Sequence, residues 1–284
     1  MMLSRRAQEV SPSATLQITA AAKRMAQEGK DVVAFGAGEP DFDTPDIIKS
    51  AACDAIKAGF TKYTPTSGIP ELKEAIARKL KIDNGLDYAA SQIVVSCGAK
   101  HTLYNVLQVL IDDADEVMIP TPYWVSYPEM VKLAGGTPVF VPTTEKTGFK
   151  VNVSLLEERV TKKTKVLILN SPSNPCGVVY RSKELDMIAD FCVKRGIYCI
   201  SDEIYEKIIF DGIRQVSIAS FSEAIKKLTV TVNGFSKSYS MTGWRLGYMA
   251  AEPAIASAVS HLQDHSTSNT PTFVHKAALA AFAL

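Results

Sequence analysis

Short apolar runs, rich in β-branched residues, recur along the chain and alternate with stretches of helical periodicity. Each run is continuous, which is typical of strands buried on both faces of a sheet. The predicted strands are residues 32–35, 92–96, 116–119, 137–141, 165–169, 198–201 and 228–232. Their alternation with helices predicts an α/β fold with a mainly parallel, mixed sheet between helices. Such sheets bind ligands at the carboxyl ends of their strands.

Turn and capping signals define the expected helices. Ser11-Pro12-Ser13 and Thr44-Pro45 are typical helix starts, and Gly29 and Gly59 are typical stops. We therefore expect helices at about 13–27, 44–58, from 70 onward, 99–111, 182–194 and from 253 onward. Residues 277–284 form a further apolar helical pattern without a capping residue.

The composition narrows the class of protein. The 284 residues are 46% apolar and carry a formal net charge of +1, which argues against nucleic acid or an anionic membrane as the main partner. No stretch approaches the length of a membrane span and no apolar run follows the basic N-terminus, so we expect a cytoplasmic protein. The five cysteines contain no CxxC pair, and the His261/His265 pair lacks further ligands. We expect neither a disulfide framework nor a metal site.

Lys237 is the first candidate for chemistry. It follows the strand at 228–232 and the turn at Asn233-Gly234, so it leaves the end of a core strand. Partial desolvation lowers the pKa of a lysine, and the neutral amine can then attack a carbonyl group. Taken alone, the segment also fits a surface turn in which Lys237 and Arg245 are solvated cations.

Asp202 occupies a matching position at the end of the strand at 198–201. A carboxylate there points into the crevice where open α/β sheets bind ligands. Pyridoxal phosphate (PLP) requires a lysine for a Schiff base, an acid that faces the pyridine nitrogen, and a phosphate-binding turn. The pair of Lys237 and Asp202 therefore favours PLP over the surface-turn interpretation.

Two segments resemble a known family. They are Ser-Asp-Glu-Ile-Tyr at 201–205, and Asn-Gly-Phe-Ser-Lys with Met-Thr-Gly-Trp-Arg-Leu-Gly-Tyr within 233–248. Both resemble the class I aminotransferases of PLP fold type I, in particular the bacterial-type aspartate and the glutamate/aspartate-prephenate aminotransferases. The resemblance covers residues from about 5 to 284. It implies an enzyme that moves an amino group between aspartate or glutamate and a 2-oxo acid.

The resemblance also implies roles for residues around the cofactor. Lys237 would carry the cofactor and shuttle protons, and Asp202 would keep the pyridine nitrogen protonated. Trp124 would stack on the ring, while Asn174 and Tyr205 would hydrogen-bond to its oxygen. The residues that would hold the phosphate are Gly98, Ala99, Lys100, Ser236 and Arg245. A glycine turn followed by the free amides of a helix start suits an anion.

Other implied roles concern the substrate and a second subunit. The backbone amide of Gly38 would help to hold the substrate carboxylate, with Trp124 and Asn174 also lining the substrate site. Lys100 would contact the distal carboxylate of an acidic substrate. Tyr63 would reach the cofactor phosphate of a neighbouring subunit, which implies a homodimer with shared active sites. Each residue also has a plainer interpretation. Gly38 could simply form a tight turn, Lys100 could be a solvated cation at a helix start, and Tyr63 could be an aromatic residue at the rim.

The resemblance divides the chain as well. Residues 1–40 would belong to a small domain that is incomplete in this sequence, and residues 41–284 would form the large PLP-binding domain. Family members continue into a small domain whose arginine clamps the substrate α-carboxylate. We therefore expect the working enzyme to have a further segment, without which the helix at 277–284 would have an uncovered apolar face. The open alternatives are a prephenate aminotransferase, a PLP β-lyase on the same fold, and a truncated, non-catalytic PLP-binding protein.

Overall fold

A seven-stranded sheet forms the centre of the structure, a computed structural model that describes residues 3–284 apart from the side chain of Arg5. The strands are β1 (Ile93–Ser96), β2 (Glu116–Thr121), β3 (Thr137–Pro142), β4 (Thr164–Asn170), β5 (Tyr198–Asp202), β6 (Thr229–Gly234) and β7 (Gly247–Ala250). Their order in the sheet is β1-β7-β6-β5-β4-β2-β3. Among these strands β7 alone runs antiparallel to its neighbours. The predicted mainly parallel, mixed sheet is confirmed.

Helices cover both faces of this sheet. They are α1 (Arg5–Glu9), α2 (Ala14–Gln27), α3 (Asp46–Lys57), α4 (Pro70–Asn84), α5 (Ala99–Leu110), α6 (Ser126–Leu133), α7 (Val153–Glu157), α8 (Ser182–Arg195), α9 (Glu223–Leu228), α10 (Pro253–Asp264) and α11 (Thr272–Ala281). On β4, Val166 and Ile168 pack in the cluster with α5, α6 and α10, whereas Leu167 and Leu169 pack in the cluster with α8. Successive side chains of a strand point to opposite faces, so the four buried residues at 166–169 of β4 are all apolar.

The register of the strands aligns their carboxyl ends. Asn170 at the end of β4 is opposite Asp202 at the end of β5, and Asp202 is opposite Val232 on β6. Gly247, the first residue of β7, is opposite both Gly234 of β6 and Ser96 of β1. The residues that follow β1, β4, β5 and β6 therefore meet at one edge of the sheet, together with those that precede β7.

Two predictions about local structure were wrong. Residues 32–35 form no strand, and Val33 and Phe35 are exposed, because no strand within residues 3–284 pairs with their backbone groups. Thr44 does not cap α3, which has Pro45 at its N-cap. The Thr44 hydroxyl instead donates to the Ser240 carbonyl and accepts from the indole nitrogen of Trp244 at 3.1 Å. The helix predicted to open at Ser11-Pro12-Ser13 is α2, and the Ser13 side chain caps it by accepting from the Leu16 amide.

The expectation of an uncovered apolar face on the last helix was also wrong. The buried face of α11 includes Val274, Ala277, Ala278 and Ala281, which lie in one cluster with α3 and α4. Alanine side chains let the helices approach closely, so α3 covers the face. Beyond the helix, the ring of Phe282 lies 5.1 Å from that of Phe235, in the loop after β6.

A buried polar cluster lies behind the carboxyl end of β5. Glu203 is fully buried, and Glu206, which is nearly so, pairs with Lys79 of α4. The donors to Glu203 are Ser201 at 2.9 Å, Ser217 at 2.6 Å and Asn84 at 3.1 Å. Burial raises the pKa of Glu203 to about 7, while the hydrogen bond from Ser217 lowers it and Glu206 raises it further. The cluster fixes α4 to the segment that carries Asp202.

We expect Glu203 to make the protein less stable as the pH rises through about 7. Its pKa in the folded state lies above the ordinary value of 4.5, so between these values the folded state holds a proton that the unfolded state has released. Urea unfolding at pH values from 4.5 to 8 should show wild type losing about 3 kcal/mol relative to the non-titrating Glu203→Gln variant.

Asp115→Asn provides a control of opposite sign. Hydrogen bonding to Lys165 lowers the pKa of Asp115 below its ordinary value of 3.8, so wild type should gain stability relative to this variant as the pH rises towards about 4, and the control scan is extended to acid pH. If the difference between wild type and Glu203→Gln does not change with pH, the assignment of the proton to Glu203 is wrong.

Candidate active site

Lys237 lies at the crevice formed by these strand ends. It follows β6 in a half-buried turn, and its Nζ donates a hydrogen bond to the Gly38 carbonyl. The same Nζ lies 5.7 Å from the centre of the Tyr205 ring. Burial lowers the pKa of Lys237, Glu39 opposes this shift, and Arg245 adds to it. The amine is therefore more readily neutral than that of a solvated lysine, as predicted from its position.

Asp202 is the buried carboxylate of the site, with 3% of its surface exposed. Its Oδ2 accepts a hydrogen bond from the Tyr127 hydroxyl at 2.7 Å, and its Oδ1 accepts from the Ile204 amide at 3.3 Å. Burial raises the pKa of Asp202 to about 6, and the two hydrogen bonds lower it. Tyr127 and Ile204 thus supply the partners that an ionised carboxylate needs inside a protein.

Asn170 connects Asp202 to the loop after β4. Its amide nitrogen donates to the Asp202 carbonyl at 2.9 Å, and its Oδ1 accepts from the backbone amide of Asn174 at 2.7 Å. The side chain of Asn174 in turn donates to the Tyr205 hydroxyl at 3.4 Å. The structure therefore brings Asn174 and Tyr205 together beside Asp202.

The turn between β1 and α5, together with Arg245, is a candidate anion site. Gly98 has φ +88°, and a Cβ there would lie 2.5 Å from Nη2 of Arg245; a Cβ at Gly247 would lie 2.3 Å from the Ala99 nitrogen. The guanidinium donates to the carbonyls of Thr242 at 2.8 Å and Cys97 at 3.3 Å. The start of α5 has no side-chain cap, so its first amides remain available to an anion beside the guanidinium.

Trp124 follows β2 and lies near the start of α5. Its ring makes an edge contact with Tyr127, with centres 5.3 Å apart and an interplanar angle of 86°. Nζ of Lys100 lies 4.8 Å from the Trp124 ring centre. Burial lowers the pKa of Lys100, and the charge of Arg245 lowers it further. Lys100 and Trp124 therefore form one wall of the crevice.

Other candidates take different positions. Ser236 is 9% exposed in the turn beside Lys237. Gly38 presents its carbonyl to Lys237, and the role of its amide stays a prediction. Tyr63 lies apart from the buried residues around Lys237 and Asp202, because its side chain is 92% exposed on the loop at 61–68.

Tyr127 and Asn170 were missed from the sequence. Tyr127 is the second residue of α6 and lies three residues after Trp124, in a turn where the Tyr127 amide donates to the Trp124 carbonyl at 3.0 Å. Asn170 ends β4 and is therefore level with Asp202, as its register shows. Helical spacing from Trp124 and alignment of strand ends were the available signals.

A desolvated lysine, a buried aspartate and an anion-binding turn at one edge of a mixed sheet are typical of PLP-dependent enzymes of fold type I. Residues 30–283 match the sequence profile of the family "Aminotransferase class I and II". The chain belongs to this family, as its motifs predicted, and it is a PLP-type aminotransferase.

Known proteins of this family are similar over nearly the whole chain. The "Probable aspartate/prephenate aminotransferase" of Aquifex aeolicus is 50% identical over 98% of this chain and 71% of its own length. The "Aspartate aminotransferase" of Bacillus subtilis is 50% identical over 99% of this chain and 72% of its own. The solved aspartate aminotransferase from Thermus thermophilus with maleate has a TM-score of 0.96 and 41% identity, covering 99% of this chain and 73% of its own.

Family membership implies PLP, and the residues of the crevice fit that group. The anion site suits a phosphate, the face of Trp124 suits a flat ring, and Asp202 suits a ring nitrogen that carries a proton.

Within residues 3–284, no group of three or more His, Cys, Asp or Glu side chains could hold a metal ion. In the same range no helix has the length and apolar character needed to cross a membrane.

We expect Tyr127→Phe to raise the pKa of Asp202. The variant removes a donor to the ionised carboxylate, which favours the protonated form by about one unit or more. The protein is produced with isotope labels in the carboxyl groups of its aspartate residues and titrated with acid and base by NMR. The Asp202 carboxyl should give a midpoint near 6 in wild type and a higher one in the variant. Tyr180→Phe is a matched control, because the hydroxyl of this buried tyrosine accepts from the Val151 amide instead. Equal midpoints in wild type and Tyr127→Phe would contradict the role of Tyr127.

Proposed function

We propose that this chain moves the amino group of an acidic amino acid, aspartate or glutamate, to a 2-oxo acid, with PLP bound between Lys237 and Asp202. The observation that carries the proposal is the pair itself: a desolvated amine and a buried carboxylate whose pKa values are shifted in opposite directions. The names of the relatives from Bacillus subtilis and Thermus thermophilus support aspartate as a substrate.

PLP supplies an aldehyde that exchanges amines and a ring that accepts electron density from the substrate. The amides of Ala99 and Lys100, with the Arg245 guanidinium and the Ser236 hydroxyl, would bind its phosphate. Asp202 would hold a proton on the ring nitrogen through its carboxylate. Tyr127 keeps that carboxylate oriented and ionised, since its hydroxyl donates to Oδ2.

Lys237 would act as the general base and acid. Its lowered pKa increases the fraction of neutral amine, and a neutral Nζ would accept a proton from the substrate α-carbon and release it again. Tyr205 lies under this amine and, with Asn174, would orient the ring oxygen. Lys237 contacts the Gly38 carbonyl, and in this proposal the Gly38 amide would contact a substrate carboxylate.

Lys100 would select acidic substrates. Its Nζ stands over Trp124 on the wall of the crevice, and partial burial makes a charged partner more favourable there than in water. A distal carboxylate would supply that partner. Prephenate is a second candidate acceptor, favoured by the name of the Aquifex aeolicus relative.

The assembly and the division of the chain are part of this proposal. We propose a homodimer in which Tyr63 reaches the neighbouring subunit's cofactor phosphate, supported by its 92% exposure beside the crevice-forming segments. We also assign residues 1–40 to a small domain and residues 41–284 to the large one. In support, α2 has no buried residue and exposes Leu16 and Ile18.

Lys237 should carry the cofactor covalently. Borohydride treatment of the PLP-loaded protein should leave a reduced pyridoxyl group on the peptide that contains Lys237, and Lys237→Ala should abolish this labelling. Lys73→Ala is a matched control, because burial lowers the pKa of Lys73 as well, while its Nζ donates to Ser67. Labelling of another lysine in wild type would overturn the site assignment.

Lys100→Ala should change substrate preference. We expect kcat/KM for aspartate to fall about tenfold or more, because a charge-assisted contact is lost, while that for leucine changes about twofold or less. Lys132→Ala serves as the control, since Lys132 pairs with Glu129 at 3.0 Å on α6. Equal losses for both substrates in Lys100→Ala would show that Lys100 acts in structure rather than selection.

A further inference from the structure

Gln263, near the end of α10, is a fully buried side chain whose amide is saturated with hydrogen bonds. Its nitrogen donates to the carbonyls of Thr66 and Val95, both at 2.9 Å. Its oxygen accepts from the Ser96 hydroxyl at 2.6 Å and from the Asn105 side chain at 3.2 Å. Two donor and two acceptor positions are the full capacity of a glutamine amide.

The partners of Gln263 belong to three segments around the anion site. Ser96 ends β1 and immediately precedes the turn at 97–100, and Asn105 lies on α5, whose first amides face that turn. Thr66 lies on the loop at 61–68, the loop that carries Tyr63. A single side chain therefore connects β1, α5 and this loop.

Further contacts make the connection rigid. The Val95 amide donates to the Ser67 carbonyl at 3.0 Å, so the loop at 61–68 follows β1. A Cβ on Gly68 would lie 2.8 Å from Cγ2 of Val95, so loop and strand already touch. The side-chain amide of Gln263, on α10, hydrogen-bonds to both the loop and the strand. Buried polar groups of this kind hold one geometry, because every alternative geometry leaves a hydrogen-bonding partner unsatisfied.

We propose that Gln263 is a positioning residue for phosphate recognition, which holds the turn at 97–100 in the geometry required to bind the cofactor phosphate and fixes the loop at 61–68 against β1. It acts through Ser96 and Thr66. The inference rests on the proposed function, in which the phosphate of PLP is the ligand of that turn.

Two variants and two probes test this role. Gln263→Glu keeps the shape and the acceptor for Ser96, but it replaces the donor to Thr66 and Val95 by an oxygen. Ser96→Ala removes only the hydrogen bond next to the turn. The probes are PLP and pyridoxal, which differ by the phosphate, and the readout is the dissociation constant of each from equilibrium dialysis.

Both variants should weaken binding of PLP about fivefold or more and change binding of pyridoxal about twofold or less. Thr229→Val is the matched control: it removes a buried hydrogen bond, from its hydroxyl to the Ile225 carbonyl at 2.8 Å, at the opposite end of β6. It should leave both constants within about twofold of wild type.

Equal losses for PLP and pyridoxal, or no loss, would overturn the inference. If circular dichroism shows that Gln263→Glu is unfolded, Ser96→Ala decides by the same criterion. If wild type itself binds PLP no more tightly than pyridoxal, the phosphate site of the proposed function is wrong, and the inference falls with it. The inference is supported if Gln263→Glu and Ser96→Ala weaken the binding of PLP but not of pyridoxal, while Thr229→Val leaves both dissociation constants unchanged.

Discussion

The burial of Asp202 at the end of β5 is the constraint from which the rest of the site follows. A carboxylate removed from water must receive hydrogen bonds or take up a proton, and its pKa of about 6 shows that burial outweighs the hydrogen bonds it receives. Tyr127 reaches it from α6, across 75 positions of sequence. Asn170 holds the Asp202 backbone from the adjacent strand. The side chain is thereby fixed before any ligand arrives, which preorganises the crevice.

The same crevice shifts the pKa of Lys237 in the opposite direction to that of Asp202. Partial burial disfavours the ammonium, and Arg245 adds a repulsive charge, so the pKa of the lysine falls while that of Asp202 rises. Both groups are therefore shifted away from the protonation behaviour that their residue types have in water, and the shifts are in opposite directions. Glu39 limits the shift on the lysine by attraction, and its own oxygen accepts a hydrogen bond from Thr242. The environment of Lys237 is therefore set by charges on either side of the turn as well as by burial.

The sequence was informative where the physics is local or periodic. Continuous apolar runs predicted the core strands, and the parallel arrangement then placed Lys237 and Asp202 at one edge. The run at 32–35 failed because a strand exists only with a neighbour, and the sequence does not show that none is available. The partners of Tyr127 and Gln263 could not be assigned because they are distant in sequence, although the spacing of Tyr127 from Trp124 was a local signal. A buried tyrosine or glutamine has many possible partners, and only the tertiary structure selects one.

The antiparallel direction of β7 explains how Arg245 reaches the anion site. A parallel strand would bring its carboxyl end to the crevice and its preceding residue to the far edge. Because β7 runs the other way, its first residue, Gly247, lies opposite Ser96 and Gly234 at the ends of β1 and β6. Arg245 then extends over Gly98, where φ is +88° and an added Cβ would force the guanidinium to move. The reversed strand thus joins two segments far apart in sequence into one cationic turn, and glycine at 98 and 247 is the steric condition for that contact.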